Sequence, residues 1–474
     1  MLSKSMIEDV LDEACLRGAD FAEVYDENTF LQETQLNQEE IEQSLTGREC
    51  GVGIRVFKGD SCYYGYTNEK SEGVIQRLTR DLTKSMKDGS MTGDFVKSGS
   101  VPGNFRMRDG LFEKKNYTMG KETALASAMP LGRRLEPAKL AIRAGMAYDE
   151  EIVRMRVKLT DMEQLVQIAN TEGIYVQDQR VKTRLYMTSF AQSGTDLQSG
   201  YYGPGAMRGH DYYDRIDVEA AAREASRQAK TILHARECQG GQMSVVVDNG
   251  FGGLLFHEAC GHSLEATVIA RDSSEFCGKL GTQVASDVVT LVDDGSIPNE
   301  WGSLHVDDEG MPTQRNVLIE QGILKSYLVD QLNGQRAKLA PTGSARRQNY
   351  KYIPTARMTN TYIAPGDHAP EEIIGATEHG LYVRTINGGS VDPATGDFNF
   401  SAGECYMIEH GRIGMPVRGV TLIGNGGSVL KKVDMVGNDF DLRQGYCFAS
   451  SGALFIDAGQ PTVRISSMTV GGIG

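Results

Sequence analysis

No run of apolar residues in this 474-residue chain approaches the ~18 that a membrane-spanning helix requires. None of its eight cysteines, at positions 15, 50, 62, 238, 260, 277, 405 and 447, pairs with another as C-x-x-C. A chain of this length needs no disulfide staples, so the thiols are expected to be reduced and mostly to fill the core. A basic cluster is missing too: 49 Lys and Arg against 63 Asp and Glu leave a formal charge of −14. That balance argues against a protein that coats nucleic acid, because phosphate contacts need a positive patch. Internal repeats and low-complexity tracts are absent, proline is scarce at 13 residues, and tryptophan occurs once.

Glycine is what the chain has in excess. Its 55 residues are spread along the sequence, which predicts many turns and close backbone approaches and no flexible linker. Hydrophobic residues at 40% and charged residues at 24% are ordinary globular proportions, which excludes disordered and coiled-coil classes. The length implies two or three domains and a large core. The opening MLSKSMIEDVLDEACLRG mixes acids into an amphipathic helix, where a secretory leader would need unbroken apolar residues. A cytoplasmic protein, away from membranes, is expected.

The fold class expected is α+β. The first half starts with a helix from Lys4 to Arg17, closed by Gly18. Strands follow at Phe21 to Tyr25, Gly51 to Phe57 and Ser61 to Thr67, the last two joined by a hairpin, then a helix from Glu72 to Met86. The stretch from Lys87 to Gly120 reads as a loop or irregular arm. A helix around Pro137 to Tyr148 leads to four strands, Ile152 to Leu159, Leu165 to Asn170, Tyr175 to Arg180 and Thr183 to Ser189. An alanine-rich helix, Val218 to Ala235, joins this to a half with short strands and glycine-bounded turns. The boundary is drawn near Gly240. Residues 1–239 form an amino-terminal α+β domain, and residues 240–474 a β-rich carboxyl-terminal domain.

The segment that carries chemistry is NGFGGLLFHEACGHSLEA, from Asn249 to Ala266. His257 and His262 are candidate metal ligands, and Glu258 beside the first can serve as a general base for metal-bound water. Their spacing is i and i+5, one longer than the i and i+4 of H-E-x-x-H. Five steps of roughly 100° leave the rings about 140° apart on an ideal α-helix, so both cannot face one metal. Gly261, just before His262, permits a kink or a wider turn. A metal site therefore requires a distorted helix here. Spacing alone leaves open a plain buried helix with two incidental histidines. Nothing local decides a third ligand: Cys260 could reach, and His305, Cys277, Cys405 and Cys447 are distant candidates.

At these residues the sequence resembles the TldD/PmbA family, also called modulators of DNA gyrase, and its TldD branch in particular. The resemblance runs through HEACGH with LEA after it (His257 to Ala266), DDEGMPTQRNVLIEQGIL (Asp307 to Leu324) and ARMTNTYI (Ala356 to Ile363). It continues through NGGSVDPATGDFNFSAGECYMIEHG (Asn387 to Gly411), PVRGVTLIGNG (Pro416 to Gly426), VGNDF (Val436 to Phe440) and GQPTVRISSMTVGG (Gly459 to Gly472). The first half matches more loosely, at GADFAEVY and GVGIRVFKGD. The resemblance implies a metallopeptidase with zinc on His257 and His262 and with Glu258 as base. It implies a third ligand, a cysteine placed a fixed distance before the proline of G-Q-P, which here is Cys447. Cys260 stands where the family more often has an apolar residue, and reads best as a small buried one. Phe448 and Ala449 stand where many TldD-type members have Gly-Lys, which alters the cleft wall.

The mechanism so implied is amide hydrolysis by a metal-activated water, with Glu258 moving the proton to the leaving amine. Glu265 and Asp272 are candidates to orient a ligand histidine. The resemblance further implies unfolded or flexible peptide substrates, of the leader-peptide or antitoxin type; an extended peptide pairing with a sheet edge inside an enclosed cleft would fit the β-rich, glycine-rich second half. It implies a dimer, with itself or with a related subunit that lacks the zinc motif. The alternative is a non-catalytic interaction protein of the gyrase-modulator kind with a structural zinc site, which would need a fourth protein ligand such as Cys260.

Overall fold

The computed structural model describes residues 1–88, 114–120, 123–392 and 394–472. Helices and strands alternate irregularly, and the fold is the expected α+β: an amino-terminal domain followed by a β-rich carboxyl-terminal one.

The first half is built on one eight-stranded sheet. Its spine is a run of long antiparallel strands, Glu40–Lys58, Phe21–Asn37, Ile152–Asn170 and Tyr175–Ser193, in that spatial order. The helix Lys4–Leu16 repeats Ile7, Val10, Leu11 and Ala14 at helical spacing, and buries them with the helix Glu72–Asp88 over Val24, Val52 and Ile54. At the other end the helices Glu136–Met146 and Val218–Leu233 cover Met155, Val157, Leu185 and Met187. Of the expected loop from Lys87 to Gly120, residues 89–113 lie outside the described residues. Lys115–Tyr117 forms a short strand parallel to Tyr175–Ser193.

The strand count differs from the sequence expectation. Four short strands were expected between Ile152 and Ser189, and two long ones are found. The polar residues that read as breaks are paired inside the sheet. Asp161 accepts from Arg134 and Thr183, and Gln164 donates to Glu27, all buried. A polar group with a partner costs the interior little, so the strands run on through it. The strand Phe21–Asn37 likewise continues twelve residues beyond Tyr25 through buried Asp26, Glu27 and Thr34.

The second half holds a ten-stranded and a six-stranded sheet around one shared core. The strand Gly241–Val247 lies inside the ten-stranded sheet, between Val463–Gly471 and His379–Val383. The strand Asp441–Ala449 is the edge of the six-stranded sheet, paired on one side only, with Gly452–Gln460. The HEACGH segment leaves the end of Gly241–Val247 and packs between the two sheets, its Leu255, Phe256 and Cys260 fully buried. Glycine lets it fit: a Cβ on Gly426 would stand 1.8 Å from the carbonyl oxygen of Ala259. No helix among the described residues is long and apolar enough to cross a membrane.

Candidate metal centre

After Val247 the chain makes a 3-10 turn at Gly250–Gly253 and one α turn at Leu254–Phe256. It then widens into a π turn over His257–Gly261 and tightens again into a 3-10 turn at His262–Leu264. This is the distortion that the i, i+5 spacing demanded. In a π turn the hydrogen bonds join i to i+5, so residues five apart stack on one face. The rings of His257 and His262 meet edge to face with centroids 5.2 Å apart. Gly261 does not supply the distortion through unusual torsions, since its φ of −55° and ψ of −51° are helical. It supplies room: a Cβ there would lie 2.1 Å from the Sδ of Met358.

The edge strand Asp441–Ala449 brings Cys447 to the same point from the other sheet, 185 residues downstream of His262. Cys447 Sγ stands 3.1 Å from His262 Nε2. Glu258 Oε2 lies 3.6 Å from the same nitrogen. One ligand atom from each of His257, Glu258, His262 and Cys447 falls within 4.8 Å of the others. Both histidines and the cysteine are buried, and Glu258 is half-buried.

His262 is held from behind. Its Nδ1 lies 2.9 Å from Glu265 Oε1, which assigns the proton to Nδ1 and turns Nε2 toward Cys447. Glu265 in turn lies 3.8 Å from the guanidinium of Arg357, which also donates to Ser451 Oγ. Burial pushes the Cys447 thiol up, but the charges of the His257 and His262 rings outweigh it and hold the thiol down at about 3. Burial lowers the His262 pKa, yet Glu265 and Cys447 carry it well above the ordinary value.

The residues fit a metal ion of the borderline class. Both ring nitrogens of His257 are buried without a hydrogen-bond partner, which costs about 1–3 kcal/mol for a polar group. A cation bonded to one of them would remove that cost. Two imidazoles and one cysteine sulfur form a donor set that suits the borderline ions better than magnesium or calcium.

The other candidates stand apart from the cluster. Cys260 donates its thiol hydrogen to the carbonyl of Phe256, and burial pushes its pKa up. His305 pairs with Asp178 and stacks on Tyr117 in the first half. Cys277 is half-buried near the Ile269 carbonyl, and Cys405 is a core residue. Asp272 sits at a left-handed turn with φ of +52°. Arg357 and Met358 went unnoticed in the sequence as supports, although they lie within the ARMTNTYI run.

Glu258 and His262 open onto a cleft of about 1840 Å³ that both halves line. Arg184, Tyr186, Tyr201 and Tyr202 come from the first half, and Leu254, Tyr446 and Phe448 from the second. Two sheet edges border it, Ile386–Val391 of the ten-stranded sheet and Asp441–Ala449 of the six-stranded one. Phe448, next to Cys447, is 74% exposed.

The sequence matches the models of three PmbA/TldA metallopeptidase domains: domain 1 at residues 22–85, the central domain at 126–233 and the C-terminal domain at 240–472. It is 32% identical over 480 residues to the metalloprotease TldD homolog of Haemophilus influenzae, covering 99% of this chain and 97% of that one. It is 33% identical over 433 residues to a metalloprotease of Methanothermobacter thermautotrophicus, covering 91% of each. The fold is shared with a Thermotoga maritima crystal structure described as a candidate modulator of a DNA gyrase, with a TM-score of 0.77 at 20% identity. That likeness covers 99% of this chain and all of the other.

Proposed function

The chain belongs to the PmbA/TldD metallopeptidase family, and we propose that it is a zinc-dependent peptidase for unfolded or flexible peptides. The observation that carries the reading is the buried cluster of His257, His262 and Cys447 with Glu258 at the cleft wall. His257, His262 and Cys447 would hold the zinc ion. When bound, zinc supplies Lewis acidity, which lowers the pKa of water and polarises a carbonyl. Three protein ligands leave a position open, as a catalytic site needs. Glu258 is the base: its carboxylate takes the proton from water and returns it to the leaving amine nitrogen. Glu265 keeps the His262 ring oriented through the bond to Nδ1. A structural zinc site would take a fourth protein ligand, and the engagement of Cys260 with the Phe256 carbonyl favours catalysis instead.

The substrate enters as an extended strand. The edges Ile386–Val391 and Asp441–Ala449 are each paired on one side only, which leaves a flank on each beside the cleft for such a strand. Leader peptides and antitoxins have the flexibility this requires, and a folded domain would not enter. The enzyme is proposed to work as a dimer in the cytoplasm, with itself or with a related subunit that lacks the zinc motif. Its cysteines are all free, in keeping with a reducing compartment.

The test is metal content and cleavage of an unstructured peptide, in wild type, Glu258→Ala and Cys447→Ala. Glu258→Ala is expected to keep its zinc and lose cleavage by about 10²–10⁴-fold, the contribution of a general base. Cys447→Ala is expected to lose both. Full peptidase activity in either variant overturns the assigned roles.

A further inference from the structure

A second group of metal-ligating side chains lies on the surface of the carboxyl-terminal half. Glu378 and His379 stand at the start of the strand His379–Val383. The neighbouring strand, Cys405–Glu409, turns into Arg412–Arg418 through His410 and Gly411. Both turn residues have positive φ, +50° and +70°, the backbone of the tight hairpin turn whose twist matches the strands. His379 pairs with Glu409, so the turn places His410 over Glu378. The backbone amide of His410 donates to the carbonyl oxygen of Glu378 at 2.7 Å, which fixes the turn against the strand start.

The three side chains converge. His410 Nδ1 lies 2.7 Å from Glu378 Oε1, and the rings of His379 and His410 meet at 63° with centroids 5.2 Å apart. One ligand atom from each falls within 4.8 Å of the others. The ring separation equals that of His257 and His262 at the buried centre. A plain ion pair accounts for His410 with Glu378. It gives no reason for a second imidazole at ligand distance from both.

We infer that Glu378, His379 and His410 form a surface site for a divalent transition-metal ion. Two imidazoles and one carboxylate select the borderline ions, copper, nickel, zinc and cobalt, over magnesium and calcium. Glu378 and His410 are 71% and 78% exposed, so their side chains are free to close around an ion. The remaining coordination positions face water. This site is separate from the cleft, since none of its residues lines it.

The test uses the untagged, zinc-loaded full chain titrated with Cu²⁺. Wild type is expected to take one further equivalent, with an electron paramagnetic resonance spectrum that shows coupling to two imidazole nitrogens. His379→Ala and His410→Asn are each expected to lose that equivalent while peptide cleavage is unchanged, which also reports that they fold. Cys447→Ala is expected to keep the surface equivalent while losing the buried one, so the two sites fail separately. The inference is overturned if wild type takes no further copper, or if the extra equivalent survives in both histidine variants.

Discussion

The pairs His257–His262 and His379–His410 hold their rings at one separation, 5.2 Å, in opposite surroundings. The first pair is buried between two sheets, and both nitrogens of His257 are left without a partner. The second stands in water, where an unbonded nitrogen costs nothing. Around the first, Glu265 and Arg357 fix one ring, and Cys447 reaches the other nitrogen of that ring from the facing sheet. Around the second, one hairpin turn does all the positioning. Two imidazoles at ligand distance are common to both clusters. Burial, a supporting shell and a cleft distinguish the first from the second.

The comparison breaks most visibly by deletion on each side. Cys447→Ala should abolish peptide cleavage, whereas His379→Ala should leave the rate at the wild-type value. Equal losses in one assay would mean that the two clusters are not independent. The supporting shell comes next. Glu265→Ala should weaken zinc binding at the buried centre by about 10–100-fold, as loss of a partner behind a ligand histidine does, measured by competition with a chelator. Among the described residues no such shell stands behind the surface pair, so Arg412→Ala next to its turn should leave copper uptake unaltered.

Packing is a smaller effect. Gly261→Ala drives a methyl group against the Met358 thioether and should cost about 1–3 kcal/mol in denaturant unfolding, the range for overpacking. The exposed turn tolerates His410→Asn with far less, since Asn accepts the left-handed backbone. A pH-dependent effect concerns Glu300 in the cleft. Burial first, then Asp457 and Asp441, pushes its carboxyl up to about 7 from an ordinary 4.5. The folded state thus holds the proton more firmly than the unfolded one. That contribution is full below pH 4.5 and fades as pH rises through 7. Glu300→Gln should flatten the fall in stability between pH 5 and pH 8, read from unfolding midpoints.

Much of the centre could be read from the chain. The spacing of His257 and His262 called for a distorted helix, and a π turn is there. Glu265 was among the neighbours proposed to orient a histidine, and it bonds to His262. The role foreseen for Gly261 was only half right, because it makes room for Met358 while its own backbone stays helical. The long strands were hidden because Asp161 and Gln164 look like breaks until Arg134, Thr183 and Glu27 are seen to satisfy them. The surface pair gave no signal at all, since thirty-one positions separate His379 from His410 in a chain with only 8 His.

By itself the sequence determined the local elements, because helix and strand periodicity, turn glycines and the i, i+5 histidine spacing act over a few residues. It also carried the family, through long runs of matching residues. Tertiary structure alone decided that Arg357 backs Glu265 and that two sheet edges face across one cleft, and it carries out the meeting of Cys447 with His262 that only the family resemblance had implied. Those meetings depend on how one sheet packs on another across nearly two hundred residues of chain, and no short-range rule of side-chain chemistry encodes that distance.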